Sequence, residues 1–419
     1  VRLSGDDAWR IASEVFSPWP SPVEPRRAVY GGYSDGDDGL VLPFSAGHSY
    51  TGEESVELSM HGSRASIQFV VDACLAAGAR MAEPGEFTQR AFLNGRIDLT
   101  QAEAVRDLIE AQTEVQLRQA ARNRDGALRR EIEEVREGVL AMLAAVEASV
   151  DFSEEVGDFD REIAETVLEE LRVRLACLHE GAKMSRIVRE GYRIAIVGPP
   201  NSGKSSLFNR LLGANRAIVT PVPGTTRDYI EETADFHGVA VVLIDTAGLR
   251  ETEDVVEAIG IELARRAAQE ADEVLFVFDA SVGWTTAVQW ALDSLGRRPS
   301  EILANKVDLG VAGALILPSS EIAMPCSAKT GLNLDRFIED ARREVLLHAP
   351  PVAVNERQAA ILDQAIATLQ DLRKALNQAP DDLLSVLLRD LANQLGRITG
   401  QTAEPDMIER IFHDFCVGK

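Results

Sequence analysis

The 419 residues carry 43 lysines and arginines against 67 aspartates and glutamates, a formal charge of −24. That balance argues against a whole-surface electrostatic grip on nucleic acid, which draws its affinity from Lys and Arg displacing counterions, and leaves local basic patches or a basic partner. With 45% apolar residues and no apolar run near the ~18 residues of a membrane span, the chain reads as soluble, with no membrane contact and room for two to four domains of ~100–200 residues each.

Val1 is not a methionine, and no charged segment leading into an apolar run follows it, so no signal peptide is expected. Residues 1–93 mix strand-like runs, GLVLPF at 39–44 and ESVELSM at 54–60, with Gly, Asp and Ser turns. They predict an α/β or α+β domain. From residue 97 the pattern turns helical. Leu128, Ile132, Val135, Val139, Met142, Val146 and Val150 fall at three- and four-residue steps, one apolar stripe of a long helix, and Leu168, Leu171, Leu175 and Leu178 repeat it. Between 192 and 340 strand-like runs (192–197, 239–245, 273–280 and 301–305) alternate with helix-length segments, the rhythm of a parallel sheet covered on both faces. After an APPVAV linker at 349–354 the helices return. Leu362, Ile366, Leu369, Leu372 and Leu376 form a heptad-like seam, and 383–395 is apolar nearly all round, which predicts a buried helix. The economical architecture is a helical domain built from two separated segments with an α/β domain inserted between them; the alternative is two independent helical domains. The four cysteines, Cys74, Cys177, Cys326 and Cys416, are scattered without metal-binding spacing, as suits a reducing cytoplasm.

The strongest chemical signal is GPPNSGKS at 198–205, a full match to G-x-x-x-x-G-K-[ST] that follows a strand and opens the helical stretch 204–212. Gly198 and Gly203 let the loop curl so that its N–H groups face inward on an anion, and the helix N-terminus adds its dipole. Lys204 is expected to reach the β- and γ-phosphates and Ser205 to ligate Mg²⁺. NKVD at 305–308 selects the base. Asp308 accepts two hydrogen bonds from the N1–H and exocyclic amine of guanine, a donor pair that adenine lacks. SAK at 327–329 completes the pocket. Between these lie DTAG at 245–248, whose Asp245 holds Mg²⁺ through water and whose Gly248 N–H meets the γ-phosphate, and GTTRD at 224–228, where Thr225 and Thr226 sit on a loop that closes when γ-phosphate is present. The phosphate loop, GTTRD, DTAG and NKVD, four elements in that chain order with SAK after them, predict GTP binding and hydrolysis.

Leu249 stands where Ras-like GTPases have a glutamine that orients water. Hydrolysis must be arranged otherwise. The following residues offer Glu251, Glu253, Asp254 and Glu257 as carboxylates and Arg250 as a cation, and the sequence alone does not choose among them.

With these motifs in place, the chain resembles the tRNA modification GTPase MnmE (TrmE) family over essentially its whole length. The resemblance is carried by YTGEESVELSMHG at 50–62, PGEFTQRAFLNGRIDLTQAEAVRDLI at 84–109, Asp151-Phe152 with its acidic tail, GTTRD, DTAGLRE at 245–251 and the terminal FCVGK at 415–419. It implies a multidomain protein, α/β plus all-α: an N-terminal α/β folate-binding and dimerisation domain (1–93), a discontinuous helical domain (94–189 and 347–419), and an inserted Ras-like P-loop G domain (190–346). It also implies the activity. With a flavin-dependent partner, MnmG (GidA), which carries FAD and joins the homodimer in a heterotetramer, the family adds a carboxymethylaminomethyl or aminomethyl group at C5 of the wobble uridine of certain tRNAs. The one-carbon unit comes from 5-formyl- or 5,10-methylene-tetrahydrofolate, and GTP hydrolysis drives opening and closing of the paired G domains.

Residue by residue, the family's catalytic glutamate falls on Glu257, and its K⁺ ligands on Asn201, Thr220, Val222 (by its carbonyl) and Thr225. Mg²⁺ falls to Ser205 and Thr226. The GTP contacts are Asn201, Ser202, Gly203, Lys204, Ser205, Ser206, Thr220, Thr225, Thr226, Asp245, Thr246, Ala247, Gly248, Asn305, Lys306, Asp308, Ser327, Ala328 and Lys329. Folate contacts fall on Arg2, Glu57, Arg96 and Lys419. Arg96 stands where the family usually has Lys, which keeps the charge and changes the donor geometry. Cys416 belongs to the terminal motif as a further functional residue. A ribosome-assembly GTPase shares the P-loop, GTTRD and DTAG segments and is the alternative; PGEFTQRAFLNGR and FCVGK separate the two.

Overall fold

The computed structural model describes the chain except residues 34–35, 158, 215, 219–229, 247–255, 314, 316–321, 414 and 416–419, and except the side chains at 153, 156, 214, 216–218 and 256–261. It divides into two compact units. The first comprises Val1–Arg106, Asn123–Leu175 and Ala360–Lys419, and the second Asp107–Arg122 and Ala176–Ala359.

The first unit opens with β1 (Arg2–Ser4), α1 (Ala8–Val15), β2 (Val29–Tyr33), β3 (Asp37–Phe44) and β4 (Ser55–Ser59). The strands form an antiparallel sheet in the order β1-β4-β3-β2. Period-two alternation puts Leu3, Val41, Val56 and Leu58 on one face, packed with Ile11, Ala12 and Val15 of α1 and with Val70 and Cys74 of α2 (Arg64–Ala76). Arg2 and Glu57, opposite each other in the β1–β4 register, lie on the other face. The domain is α+β, the second of the two classes its turns suggested. Helices follow along the chain: α3 (Glu86–Leu93), α4 (Leu99–Glu110), α5 (Glu114–Arg124), α6 (Ala127–Asp151), the single turn α7 (Ser153–Val156) and α8 (Arg161–Glu190), of which most of α5 and the second half of α8 belong to the second unit. The α6 stripe is buried from Leu128 through Val146. Val150, expected on it, is 44% exposed. The step after Val146 is three residues, to Ser149, whose hydroxyl bonds back to the Val146 carbonyl at 2.8 Å.

The second unit holds β5 (Tyr192–Val197), α9 (Lys204–Ala214), β6 (Arg216–Ile218), β7 (Ile230–Phe236), β8 (Val239–Asp245), α10 (Val256–Glu270), β9 (Glu273–Asp279), α11 (Thr286–Asp293), β10 (Glu301–Asn305), β11 (Met324–Pro325) and α12 (Leu334–His348). The sheet order is β11-β10-β9-β5-β8-β7-β6. Strands β11, β10, β9, β5 and β8 run parallel, β7 pairs antiparallel with β8, and β6 pairs antiparallel with β7 at the edge. The sheet is therefore mixed rather than wholly parallel. Two apolar layers cover it, one including Leu207 and Leu211 of α9 with Phe337 and Ile338 of α12, the other including Ala267 and Ala268 of α10 with Val288 of α11.

The chain ends in α13 (Glu356–Leu376), α14 (Asp381–Thr399) and α15 (Pro405–His413). In α13, Leu362, Leu369, Leu372 and Leu376 are buried. In α14 burial follows a single stripe, Leu384, Leu388, Leu391, Ala392 and Leu395, and α14 packs along α6. Leu383 and Val386 are 46% and 63% exposed, so the expectation of all-round burial is corrected: one face meets its neighbour and the opposite face meets solvent. No helix among the described residues is long and apolar enough to cross a membrane. Leu391→Ala should therefore cost about 2–5 kcal/mol in denaturant unfolding, and Leu383→Ala no more than about 0.5 kcal/mol. Equal losses at the two positions would contradict the one-sided packing of α14.

Candidate nucleotide site

The parallel strands deliver their carboxyl ends to one edge of the sheet, where ligands of open α/β sheets bind. Register sets the level. Val197, the last residue of β5, pairs with Phe276; Asp279, the last of β9, pairs with Asn305, the last of β10. On the other side Ile196 pairs with Asp245, the last of β8.

The phosphate loop leaves β5 at Gly198, whose φ is +145°, and a Cβ there would stand 2.1 Å from the Val277 carbonyl oxygen. Gly203 has φ +92°, and its Cβ would stand 2.4 Å from Asn305 Nδ2. Neither position admits a side chain. Lys204, at the start of α9, is buried and donates to the carbonyls of Gly198 (3.0 Å) and Pro199 (2.9 Å). Burial lowers its pKa, and the charge of Asp245 works in the opposite sense. Asp245 is itself only 2% exposed, and the neighbouring Thr246 donates to the Ile196 carbonyl at 3.1 Å. Ser205 and Ser206 lie exposed in the first turn of α9. The Ser202 hydroxyl is buried without a hydrogen-bond partner among the described residues. Asn201 is exposed and holds a left-handed backbone, φ +61°.

The NKVD segment, expected to read the base, docks directly onto this loop. Asn305 is 1% exposed. Its Nδ2 donates to the Ser202 carbonyl at 3.0 Å, and its Oδ1 accepts the Ala328 N–H at 3.0 Å. Lys306 Nζ donates to the Asn201 carbonyl at 2.6 Å and to Asp279 Oδ2 at 2.7 Å. Asp308 lies exposed on the 3₁₀ turn Val307–Leu309 and accepts the hydroxyl of buried Ser327 at 2.7 Å. That bond fixes one carboxylate oxygen and orients the group. Lys329 is exposed at the rim. Thr220, Val222, Thr225, Thr226, Ala247, Gly248, Leu249 and Arg250 lie outside the described residues, as do Glu251, Glu253 and Asp254. Glu257 lies on α10, with its side chain outside them.

The first unit carries a second cluster. The stretch 84–96 clamps the loop that precedes β4. Tyr50 Oη and Thr88 Oγ1 are 3.1 Å apart, Asn94 donates to the Thr51 carbonyl at 2.8 Å, and Arg96 to the Gly47 carbonyl at 2.9 Å. Arg90 bonds Glu53 at 2.9 Å and Glu86 at 2.8 Å. Glu86, bonded also by Arg80, is held down at about 2, chiefly by the Arg80 guanidinium. Arg2 pairs with Glu57 at 2.7 Å and lies over the rings of Tyr50 (5.3 Å) and Phe87 (5.7 Å). Three of the expected folate contacts, Arg2, Glu57 and Arg96, thus border this one loop region; Lys419 and Cys416 lie outside the described residues. Tyr50, Phe87 and Asp279 were not singled out from sequence. A carboxylate closing an apolar strand, as Asp245 does, was the available signal for Asp279. The aromatics gave none.

A loop shaped for phosphates, bonded directly to a segment shaped for guanine, is the working part of a P-loop GTPase. Two family models match, the GTP-binding protein TrmE N-terminus over residues 1–96 and the MnmE helical domain over 99–416. Along its whole length the chain is similar to the tRNA modification GTPases MnmE of Synechococcus sp. (strain JA-3-3Ab), 40% identical with 94% of that protein covered, and of Aquifex aeolicus, 39% identical with 96% covered. Among solved structures it is similar over 35% of its length to Era in complex with MgGDPNP and nucleotides 1506–1542 of 16S ribosomal RNA, at 30% identity, 54% of that chain and a TM-score of 0.28. The chain belongs to the tRNA modification GTPase MnmE family.

Asp308→Asn replaces an acceptor with a donor. It should weaken GTP on the order of 10³-fold and admit xanthosine triphosphate, read by fluorescence titration. Ser327→Ala, which removes only the hydroxyl that orients Asp308, should cost about tenfold to a hundredfold. Unchanged GTP affinity in Asp308→Asn, with ATP bound equally well, would overturn the guanine assignment.

Proposed function

We propose that this protein works with a flavin-dependent partner of the MnmG (GidA) type to add a carboxymethylaminomethyl or aminomethyl group at C5 of the wobble uridine of certain tRNAs. The one-carbon unit comes from 5-formyl- or 5,10-methylene-tetrahydrofolate, and FAD belongs to the partner. The protein acts in the cytoplasm as a homodimer that joins the partner in a heterotetramer. GTP hydrolysis drives the paired G domains between open and closed arrangements. Relatives about 40% identical from end to end support the reading. The observation that carries it is a second constellation, Arg2, Glu57 and Arg96 about the clamped loop, in a different compact unit from the nucleotide site.

The donor set suits a folate. Two guanidinium groups match a ligand that ends in carboxylates, and Glu57 matches the N–H groups of a pterin. In the nucleotide site, the Ser202 hydroxyl, buried and without a partner among the described residues, fits a loop that hydrogen-bonds phosphate oxygens. Lys204, now on two loop carbonyls, is placed to exchange them for those oxygens. The Ser205 hydroxyl, joined by Thr226, and the Asp245 carboxylate are hard oxygen donors suited to Mg²⁺. The Asn201 amide is a neutral oxygen donor suited to K⁺, with Thr220, Val222 and Thr225 completing that set. When bound, the two cations supply positive charge to the bridge between the β- and γ-phosphates. Glu257 orients the attacking water, the task that Leu249 cannot perform.

Glu57→Ala should abolish wobble-uridine modification, measured by mass spectrometry of tRNA nucleosides, with GTP turnover near wild type. Turnover falling as far as in a phosphate-loop variant would sink the separation of the two sites. Single-turnover hydrolysis should be fast in K⁺ and slow in Na⁺, and Asn201→Ala should erase that difference. Glu257→Ala should lower kcat by roughly 10²–10⁴-fold with nucleotide affinity kept. A Glu257→Ala enzyme at full speed beside an inactive Arg250→Ala enzyme would transfer the role to Arg250.

A further inference from the structure

We propose that Asp279 is a positioning residue of the nucleotide site, which through Lys306 holds the Asn201 carbonyl and so helps aim the N–H groups of the phosphate loop. Two consecutive side chains of the base-reading segment hold two consecutive carbonyls of that loop: Asn305 takes Ser202 O at 3.0 Å, and Lys306 takes Asn201 O at 2.6 Å. In a trans peptide the C=O of one residue and the N–H of the next point in opposite directions. Pinning Asn201 O therefore aims the Ser202 N–H, and pinning Ser202 O aims the Gly203 N–H. These are the donors a phosphate meets. Asn201 holds φ +61°, a conformation that costs energy in a residue with a side chain and persists only where surrounding bonds fix it.

Asn305 is locked by burial and by the Ala328 N–H. Lys306 has a flexible four-carbon stem, 30% exposed, and needs another restraint. Asp279 supplies it with Oδ2 at 2.7 Å. The carboxylate is itself immobilised, because its Oδ1 accepts both the backbone N–H (2.9 Å) and the hydroxyl (2.6 Å) of Ser281. Burial by itself would raise the Asp279 pKa; the bonds from Lys306 and Ser281 outweigh it and hold the group ionised below its usual range. The register that pairs Asp279 with Asn305 at the ends of β9 and β10 puts the carboxylate at this level. An amide could not replace it, since Lys306 and Ser281 bond different oxygens and an amide would turn its NH₂ donor toward one of them.

The effect falls on the phosphate side of the ligand, so it should change affinity without changing base preference. The test is a double-mutant cycle on the full chain, read as GDP affinity by competition with a fluorescent GDP. Asp279→Asn should weaken GDP about tenfold and leave the preference for guanosine over xanthosine diphosphate intact. Lys306→Met should weaken it at least as much, and the double variant should be no weaker than Lys306→Met alone. Ser281→Ala should show a smaller loss that likewise vanishes beside Lys306→Met, which covers the case of an Asp279→Asn chain that fails to fold. Asp279→Glu should recover part of the affinity. Asp279→Asn binding GDP as tightly as wild type, or losing the same factor in the Lys306→Met background, would overturn the proposal. Where the K⁺ reading of Asn201 holds, Asp279→Asn should also raise the K⁺ concentration for half-maximal hydrolysis. A wild type indifferent to K⁺ would overturn that reading and leave the GDP cycle to decide this one.

Discussion

The distance between the base and the phosphates of a nucleotide is bounded by its covalent frame, so the two halves of the protein site must be fixed to each other. Here that constraint is met by the bond from Asn305 to the Ser202 carbonyl, together with the one from Lys306 to Asn201. Both depend on sheet register. A slip of one residue between β9 and β10 would turn Asn305 to the other face of the sheet and unlink the guanine pocket from the phosphate loop. The apolar layers on both faces prevent the slip, because Phe276, Phe278 and Ala304 pack in one layer and Leu275, Val277 and Leu303 in the other. Core packing thus acts on chemistry through register.

The first unit solves a similar problem by charge. Its loop before β4 has little apolar content to hold it. Tyr50, Thr51, Glu53 and Gly47 are instead each bonded by a side chain from 84–96. Glu86 joins Arg80 and Arg90, and Arg90 passes the connection to Glu53, which also accepts the Ser4 hydroxyl at 2.8 Å. Exposed ion pairs taken singly contribute little, and this set matters as a connected framework in which each oxygen restrains the next donor. Arg2 emerges from the same edge, already oriented by Glu57 and two rings.

What the sequence revealed follows from these physics. Strands buried on both faces were legible to the residue, as at Tyr192–Val197, Val239–Asp245 and Glu301–Asn305, because continuous apolar runs end where the chain meets the ligand edge. Strand β7, next to the edge strand β6 and with Glu231, Glu232 and Asp235 among its seven residues, has no such run and was not foreseen. Its antiparallel pairing makes the sheet mixed. On α6 the true stripe passes through Ser149, which periodicity of apolar residues alone does not select over Val150. On α14 a nearly continuous apolar composition concealed a single buried stripe. The phosphate loop and NKVD were legible because their chemistry demands fixed residue types at fixed spacing. Tyr50, Phe87 and Asp279 act by position, and position comes only with the fold.

The glycines of the phosphate loop show how far the two halves are fused. The usual account of Gly203 is backbone freedom near a phosphate, and its φ of +92° agrees. Its nearest neighbour, however, is Asn305 Nδ2, at 2.4 Å from where a Cβ would stand. The glycine is therefore required twice, once by the curl of the loop and once by the side chain of the base-reading segment that closes over it. Gly198 is hemmed in by the Val277 carbonyl of β9, the strand that also carries Asp279. The phosphate loop of this protein is thus shaped on its outer side by β9 and β10 as much as by its own sequence. A change in the NKVD segment is therefore also a change in the surroundings of the loop 198–205.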